Sequence, residues 1–475
     1  MIQQLPVDCL NEIFEYLEED KFTLHSCLLV NRLWCKVSVR ILWRNVWRVK
    51  RSLIRNYLKV VTTILGTLIS CLPNESKDFL YKNGITIPTP TCKPPLFPYA
   101  SFLRVLKVYK IDSMIKDVLI NRYYITSQVL QHKKYLVLQE IMKMFMNQIP
   151  SLKILDYCFI FFEPIHNLPN ISFTYFPKAR NCLSDLSEFS CGSDIYSEIL
   201  HQLAQICHHI RTLYICFEKI ISNGLMDLVS SQNNLKQLML FQSYGGIYWK
   251  DIIPSLTNHS KTLIRLDLVS FAQNVTISFI ASFINLQELN ISFYEERFFD
   301  DFKELQYVKF SQLKILKFLY QSPKYEELIK FLENNGKDLK ELYIGDDNDN
   351  SLNLAIAKFC PNLQKLSTIF KYYDIETFKK ILNCCQDLES IKVWCGKNYL
   401  SEEGCLDMIA KHSPKNFYEL KMFNENNSEL YDEDLELFFT NWNNRRPQRS
   451  ISFIILKYDI CDNVSLEENE ENMKQ

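Results

Sequence analysis

The chain has 475 residues, of which 47% are hydrophobic and 13% aromatic, and its formal net charge is −1. This length and composition fit a sizeable core made by a repeat array together with a small module. The balanced charge excludes a global electrostatic attraction to nucleic acid or to an anionic membrane. With only 10 glycines, the chain also lacks the composition of a glycine-rich nucleotide-binding fold.

The first 47 residues contain three short amphipathic patterns. A Leu-Pro pair opens the first, and apolar residues then recur at the spacing of one helix face. Proline is well tolerated at such a helix start, where its missing N–H group costs little. Three short helices bury little surface, so a module of this size is usually stabilised by a partner. The apolar positions are Leu10, Ile13, Phe14 and Leu17, then Leu24, Leu28 and Trp34, then Val37 and Ile41.

The order of these residues resembles the F-box, a family motif that docks onto a Skp-type adaptor of a cullin–RING ubiquitin ligase. The resemblance covers residues 1–47. A simpler interpretation is a three-helix cap for the rest of the chain, which requires apolar periodicity but not this order of residues. If the resemblance holds, the adaptor-facing surface is formed or supported by Leu5, Pro6, Leu10, Ile13, Leu17, Leu28, Val30 and Trp34.

Residues 48–100 are predicted to connect this module to the next part of the chain. Further helix is expected over 44–72, and its apolar stretch is too short to span a bilayer. Five prolines between Pro88 and Pro98 exclude regular structure there.

From about residue 100 a repeat of the form Leu-x-x-Leu-x-Leu dominates, with a period of about 26 residues. The last two apolar positions alternate as on a half-buried strand, and helical patterns lie between the copies. Irregular copies near residues 103, 152 and 183 precede the clear ones, and a charged, Tyr-rich insertion separates the first two. The first apolar positions of the clear copies are Ile210, Leu235, Leu263, Leu286, Leu313, Leu339, Leu363, Leu388 and Phe417.

The sequence therefore predicts an α/β fold in which a three-helix F-box is followed by a leucine-rich-repeat solenoid of about ten to twelve units. Parallel strands would line its concave side and helices its convex side. The predicted boundaries are 1–47 for the F-box, 48–100 for the connector, 101–460 for the solenoid and 461–475 for an acidic, disordered tail.

The concave strand face is the natural binding surface of such an array. Charges of both signs fall on it, which disfavours nucleic acid and favours a protein partner over a merely solvated face. Trp394 is the best single anchor, because Lys392 and Lys365 flank it and suit an acidic or phosphorylated segment. The candidate target-binding residues are Arg265, Asp267, Lys317, Tyr343, Lys365, Lys392 and Trp394.

The sequence patterns that could indicate a metal or catalytic site lack residues that such sites require. The run 346–350 is acidic, but Leu352 and Lys358 stand where a calcium loop needs Gly and Glu. The cluster of His201, Cys207 and neighbouring histidines fits no common zinc spacing. We predict no catalytic residue, no metal and no cofactor.

The 16 cysteines form no C-x-x-C pair, and no secretory signal is expected because acidic residues interrupt the N-terminus. They therefore predict reduced thiols in a cytoplasmic or nuclear protein.

The combination resembles the F-box/leucine-rich-repeat family, which implies a non-catalytic substrate receptor of an SCF-type ubiquitin ligase. Its partners would be a Skp-type adaptor, through it a cullin, and a target protein of unknown identity. One alternative is a repeat scaffold without a ubiquitin role, and another is an enzyme whose site leaves no motif.

Overall fold

The chain forms two compact units, and each is described by itself. The first comprises residues 1–214 and 222–233, and the second comprises 215–221 and 234–475. The computed structural model describes residues 5–47, 57–89, 94–123, 126–157, 171–243, 245–271, 275–345, 349–424, 430–445 and 449–457. The predicted acidic tail 461–475 and residues 346–348 of the acidic run lie outside these ranges.

The N-terminal module consists of the three predicted helices, α1 (Val7–Glu15), α2 (Lys21–Cys27) and α3 (Arg32–Leu42). Asp20 caps α2 by accepting a hydrogen bond from the Thr23 amide, and Asn31 caps α3 in the same way. A small apolar core holds the helices together. Its buried members are Leu10, Phe14, Leu24, Cys27, Val37 and Ile41.

The backbone at the end of this module makes the same kind of hydrogen bonds to the first strand that successive repeats make to each other. The carbonyl of Arg44 accepts hydrogen bonds from the amides of Arg104 and Val105, at 3.0 and 3.1 Å. The Arg104 carbonyl in turn accepts from two amides at the start of the next strand, and later repeats follow the same pattern. The buried Trp47 indole donates to the Val105 carbonyl at 2.7 Å. The module therefore caps the first strand of the array.

Replacing Trp47 by phenylalanine tests this junction. The change keeps most of the ring packing but leaves the buried Val105 carbonyl without the indole donor. We expect the free energy of unfolding of the first unit to fall by about 1–3 kcal/mol. Urea unfolding followed by circular dichroism measures this loss, and an unchanged midpoint would mean that the indole hydrogen bond contributes nothing.

The remainder of the first unit pairs β1 with β2 and β2 with β3, all in parallel. Helix α5 lies within the expected connector, and α7 with the start of α8 occupies the Tyr-rich insertion, for which the sequence pattern predicted no secondary structure. The strands are β1 (Val105–Lys107), β2 (Ile154–Asp156) and β3 (Glu188–Gly192), with β4 (Thr212–Phe217) spanning the division between units. The helices are α4 (Tyr57–Ser70), α5 (Asn74–Lys82), α6 (Tyr99–Phe102), α7 (Val108–Arg122), α8 (Ser127–Gln148), α9 (Ala179–Leu183), α10 (Ser197–Ile206) and α11 (Asn223–Ser230).

In the second unit, strands β5 to β13 pair in chain order, and every pair is parallel. These strands are β5 (Gln237–Gln242), β6 (Arg265–Ser270), β7 (Glu288–Phe293), β8 (Ile315–Phe318), β9 (Glu341–Ile344), β10 (Lys365–Thr368), β11 (Ser390–Cys395), β12 (Glu419–Asn424) and β13 (Ser452–Lys457). The connecting helices are α12 (Ile253–Thr257), α13 (Tyr325–Asn335), α14 (Asn350–Phe359), α15 (Ile375–Cys384), α16 (Glu402–His412) and α17 (Asp432–Asn443). The helical patterns predicted between the later strands are confirmed.

The repeat leucines form the core of the second unit. Leu289, Leu316 and Leu342 are register partners on β7, β8 and β9, and all three are buried. The residues between the repeat apolar positions lie on the other face of the sheet because side chains alternate along a strand. The α/β leucine-rich-repeat architecture predicted from the sequence is confirmed.

Candidate functional site

Helix α1 carries two apolar stripes. Leu10 and Phe14 point into the module core and are both 2% exposed. Cys9, Ile13 and Tyr16 follow the i, i+4, i+7 spacing of a second stripe, and all three are exposed, Tyr16 by 89%. This second stripe does not pack in the module core. Small soluble domains rarely leave such an apolar surface exposed to solvent.

More exposed apolar side chains come from α2 and the turn that follows it. Phe22 and Leu29 are each 89% exposed, and Val30 is 56% exposed. Leu5 and Val7 add apolar surface where the chain enters α1. Capping of β1 uses the backbone of Arg44 and the ring of Trp47, so it does not explain these side chains. The simpler interpretation as a cap is therefore incomplete.

The eight predicted adaptor-facing residues fall into two groups. Some are exposed and suited to contact, whereas Leu10, Leu17 and Trp34 pack in the module core and hold its helices in place. Four further exposed residues were not predicted, because their only signal in the sequence is an apolar side chain off the core stripe: Val7, Tyr16, Phe22 and Leu29. The exposed members are Leu5, Pro6, Ile13 and Val30, the half-buried ones are Leu17, Leu28 and Trp34, and Leu10 is buried.

An ion pair links the end of α1 to the residues that follow α3. The guanidinium of Arg44, just after α3, donates hydrogen bonds to both carboxylate oxygens of Glu15 at the end of α1. Glu18 approaches the same group at 3.6 Å. The hydrogen bond from Arg44 holds the pKa of the Glu15 carboxyl below its ordinary value, although partial burial opposes this effect. The pair therefore stabilises α1 against α3 as long as Glu15 is ionised.

The lowered pKa predicts a pH dependence. The stabilisation by Glu15 is fully present above the pKa of the unfolded chain and is lost as the pH falls through the lower folded pKa. We expect Glu15→Gln to speed amide exchange in α1 near neutral pH, and the difference to shrink below about pH 4.5. Hydrogen-exchange mass spectrometry measures this, with Glu12→Gln on the same helix as control. A difference that did not change with pH would assign the effect to packing.

A second surface lies on the second unit. We call the side of β6–β12 that carries the polar residues between the repeat leucines the open face. Its central row aligns one residue from each strand, as the parallel register requires. In strand order the row is Asp267, Asn290, Lys317, Tyr343, Ser367, Lys392 and Lys421.

The β6–β7 end of the open face is internally paired. Arg265 donates to both carboxylate oxygens of Asp267, at 2.8 and 3.1 Å, and lies 3.3 Å from Glu288. Asn290 donates to Asp267 and Glu288 as well. Farther along, Lys365 pairs with Glu341 at 2.8 Å, and this hydrogen bond raises the pKa of Lys365. These side chains already have partners of opposite charge.

Trp394 lies on the open face, as the strand alternation predicts, but it is largely covered. Its side chain is 8% exposed and stacks on Phe423 of the next strand, with ring centroids 5.4 Å apart. Together with Ile369 these rings form an apolar cluster on the open face, against which Tyr343 and Tyr399 pack. Trp394 thus covers the neighbouring repeat, and its role in binding stays an untested prediction.

Lys392 lies in the central row of the open face, beside that cluster. Its ammonium lies 4.4 Å from the centroid of the Phe423 ring and 5.0 Å from that of Tyr343. It also donates to the Tyr343 hydroxyl at 3.3 Å, across the intervening strand β10. Cation–π contacts with two rings hold this charge in a fixed place.

The His, Cys and Asp residues that were considered as metal-binding or reactive groups have structural roles. Within the described ranges no group of three or more His, Cys, Asp or Glu side chains is placed to hold a metal ion. His201 pairs with Asp227 at 2.6 Å, and Asp349 caps α14. Burial raises the pKa of the Cys385 thiol to about 12, which leaves it protonated.

Among the described residues, no helix combines the length and the apolar character needed to cross a bilayer.

Comparison with known proteins identifies the N-terminal module. Residues 2–48 match the protein-family model described as F-box-like. No curated protein sequence matches the chain significantly. A solved structure of the yeast complex of Rad7 and Elc1 aligns with 56% of this chain and 79% of its own, at 15% identity and a TM-score of 0.32. A Bacteroides fragilis protein aligns with 49% of this chain and 67% of its own, at 13% identity and a TM-score of 0.26. At these TM-scores neither likeness bears on function.

Proposed function

We propose that the chain is a substrate-recognition subunit of an SCF-type ubiquitin ligase. Its F-box-like module binds a Skp-type adaptor, and its repeats bind a target protein. The observation that carries the proposal is the exposed apolar surface on a segment that matches the F-box-like family. Seven apolar side chains open to solvent on so small a module suit a partner that covers them. They are Leu5, Val7, Ile13, Tyr16, Phe22, Leu29 and Val30.

The proposed subunit works by proximity and catalyses nothing itself. A target held near the ubiquitin-charged enzyme presents its lysines at a high effective concentration. The hydrogen bonds of Arg44 and Trp47 to the first strand favour this role, because they fix the module to the start of the array instead of leaving it on a loose tether.

Affinity purification of the tagged full chain from cells of its source organism, followed by mass spectrometry, tests the proposal. We expect a Skp-type adaptor and a cullin among the co-purifying proteins. Removal of residues 1–47 is a poor control, since it also uncovers the first strand at Val105. Point changes on the exposed apolar surface are better controls. A target recovered without adaptor or cullin would instead favour a scaffold with no ubiquitin role.

A further inference from the structure

Strand β13 forms an edge of the sheet in the second unit. Among the described residues it pairs with β12 alone, so the backbone groups on its other side face no strand. The Ser452 amide donates to the Tyr418 carbonyl at 2.7 Å, on the β12 side. Because backbone polar groups alternate between the two sides of a strand, the N–H and C=O groups of Phe453 and Ile455 point to the open edge.

The sequence of β13 does not protect this edge against pairing. Natural proteins protect exposed edges with charged side chains, prolines or bulges. Residues 450–456 read Ser-Ile-Ser-Phe-Ile-Ile-Leu, without a charge or a proline. Their register with β12 is continuous, so no bulge interrupts it. An apolar edge of this kind is suited to pairing with a strand of another chain.

The core of the last repeat is also incompletely covered. Phe453 and Ile455 continue the core rows of Leu420 and Met422, which are both 0% exposed in β12. Phe453, in contrast, is half-buried, and Ile455 is 39% exposed. Repeat arrays normally end in a unit with a polar outer face. The last described unit instead presents an apolar edge, which requires a cover.

We infer that two copies of this chain pair through β13 and form a dimer with twofold symmetry. The two strands run antiparallel, with Ile454 on the axis. Phe453 of each copy then lies opposite Ile455 of the other, so the outward backbone groups of both residues bond across the axis. Their side chains meet on the core face, and the sheet of one copy continues into that of the other.

The length of the chain favours a second copy over a further repeat of the same copy. Residues 458–475 are fewer than one repeat period of about 26 residues, so another unit with its own strand and helix does not fit in them. They also include four glutamates, which are poorly suited to cover Phe453 and Ile455. A second β13, in contrast, offers the same apolar side chains on the same faces.

The charges of helix α17 fit the same axis. Helix α17 packs on β13, since the Phe438 and Phe453 rings lie 6.2 Å apart. The twofold axis therefore brings α17 of one copy beside α17 of the other, and the two helices run in opposite directions. The acidic start of each helix then lies near the basic end of its mate, which stabilises the pair. The acidic residues are Asp432, Glu433 and Asp434, and the basic ones are Arg445 and Arg449.

The dimer does not depend on the proposed function, because β13 and α17 lie in the second unit and the F-box-like module lies in the first. Where both hold, each assembly carries two adaptor-binding modules and two open faces. A target that engages both faces is then bound more tightly than either face alone would bind it.

The mass of the purified full chain in solution, measured by size-exclusion chromatography with light scattering, tests the inference. At about 20 μM we expect twice the 56.3 kDa of one chain. The mass of a single chain at this concentration would overturn the dimer. The double variant Ile13→Asp, Leu29→Asp should dimerise equally well. A monomeric double variant would assign the self-association to the F-box-like surface and would also overturn the inference.

A charge at the edge locates the interface. Ile455→Glu should give a monomer at the same concentration, because a carboxylate would enter the apolar centre of the dimer. Leu354→Glu on α14 is the matched control, since Leu354 is 38% exposed, and it should remain a dimer. Circular dichroism verifies that both variants are folded. A dimer formed by folded Ile455→Glu would place the contact elsewhere and refute the inference.

Two further measurements complete the test. Removal of residues 458–475 should leave the dimer intact, whereas a monomeric full chain that dimerises only after this removal would show that these residues cover β13. Hydrogen exchange of the unaltered chain needs no variant to fold. The amides of Phe453 and Ile455 should exchange at least severalfold more slowly at about 20 μM than at concentrations where the dimer dissociates. Equal exchange in dimer and monomer would exclude β13 from the interface.

Discussion

Replacing Leu316 by alanine is expected to lower the free energy of unfolding of the second unit by about 2–5 kcal/mol. The side chain is fully buried, and its register partners Leu289 and Leu342 pack in the same row of the core. Truncation removes apolar contacts and leaves a cavity between two repeats that cannot be stable without each other. Denaturation by urea, followed by circular dichroism, measures the loss.

Lys317→Ala is the matched control, since Lys317 is the next residue and lies on the open face. Its half-buried side chain belongs to the surface, so we expect a cost on the order of 0.5 kcal/mol or less. A reversed ranking would place the lysine in the core and the leucine outside. Such a result would mean a strand register shifted by one residue, which exchanges the two faces of the sheet.

The double change Ile13→Asp and Leu29→Asp is expected to weaken adaptor binding by roughly a hundredfold or more, because charges would enter the apolar centre of the interface. Both side chains are exposed, so the module should remain folded. Changes at Leu10 or Phe14 do not test the same point, because these side chains form the module core and their loss unfolds it.

The matched control for this variant is Leu437→Asp, an exposed leucine on α17 in the second unit. It adds a charge at an apolar surface position outside the proposed interface and should leave adaptor recovery unchanged. Co-purification with quantitative mass spectrometry compares the variants, and circular dichroism verifies their folding. Full recovery of adaptor by the folded double variant would remove Ile13 and Leu29 from the interface.

The repeat architecture was predictable because its signal is redundant. Each unit repeats the same apolar spacing, so an error in one copy does not change the register of the others. Strand β13 was not predicted as a separate copy, since Ser450 occupies the position at which the clear copies carry an apolar residue. Helix α7 was missed because charged and aromatic residues dilute its apolar stripe.

The candidate sites were less predictable, for a physical reason. Spacing shows that Leu10 and Ile13 both lie on apolar sides of α1, but only packing decides that Leu10 is buried and Ile13 exposed. Trp394 follows the open-face alternation, yet the Phe423 ring on the neighbouring strand covers it.

The most direct test of the proposed function is the equilibrium binding of the purified full chain to a purified Skp-type adaptor, measured by isothermal titration calorimetry. We expect a one-to-one complex with a dissociation constant of about 1 μM or lower, and a negative heat-capacity change because apolar surface is buried. The variant with Ile13→Asp and Leu29→Asp should show no measurable heat of binding. A folded full chain that does not bind the adaptor would contradict the assignment as a ubiquitin-ligase receptor.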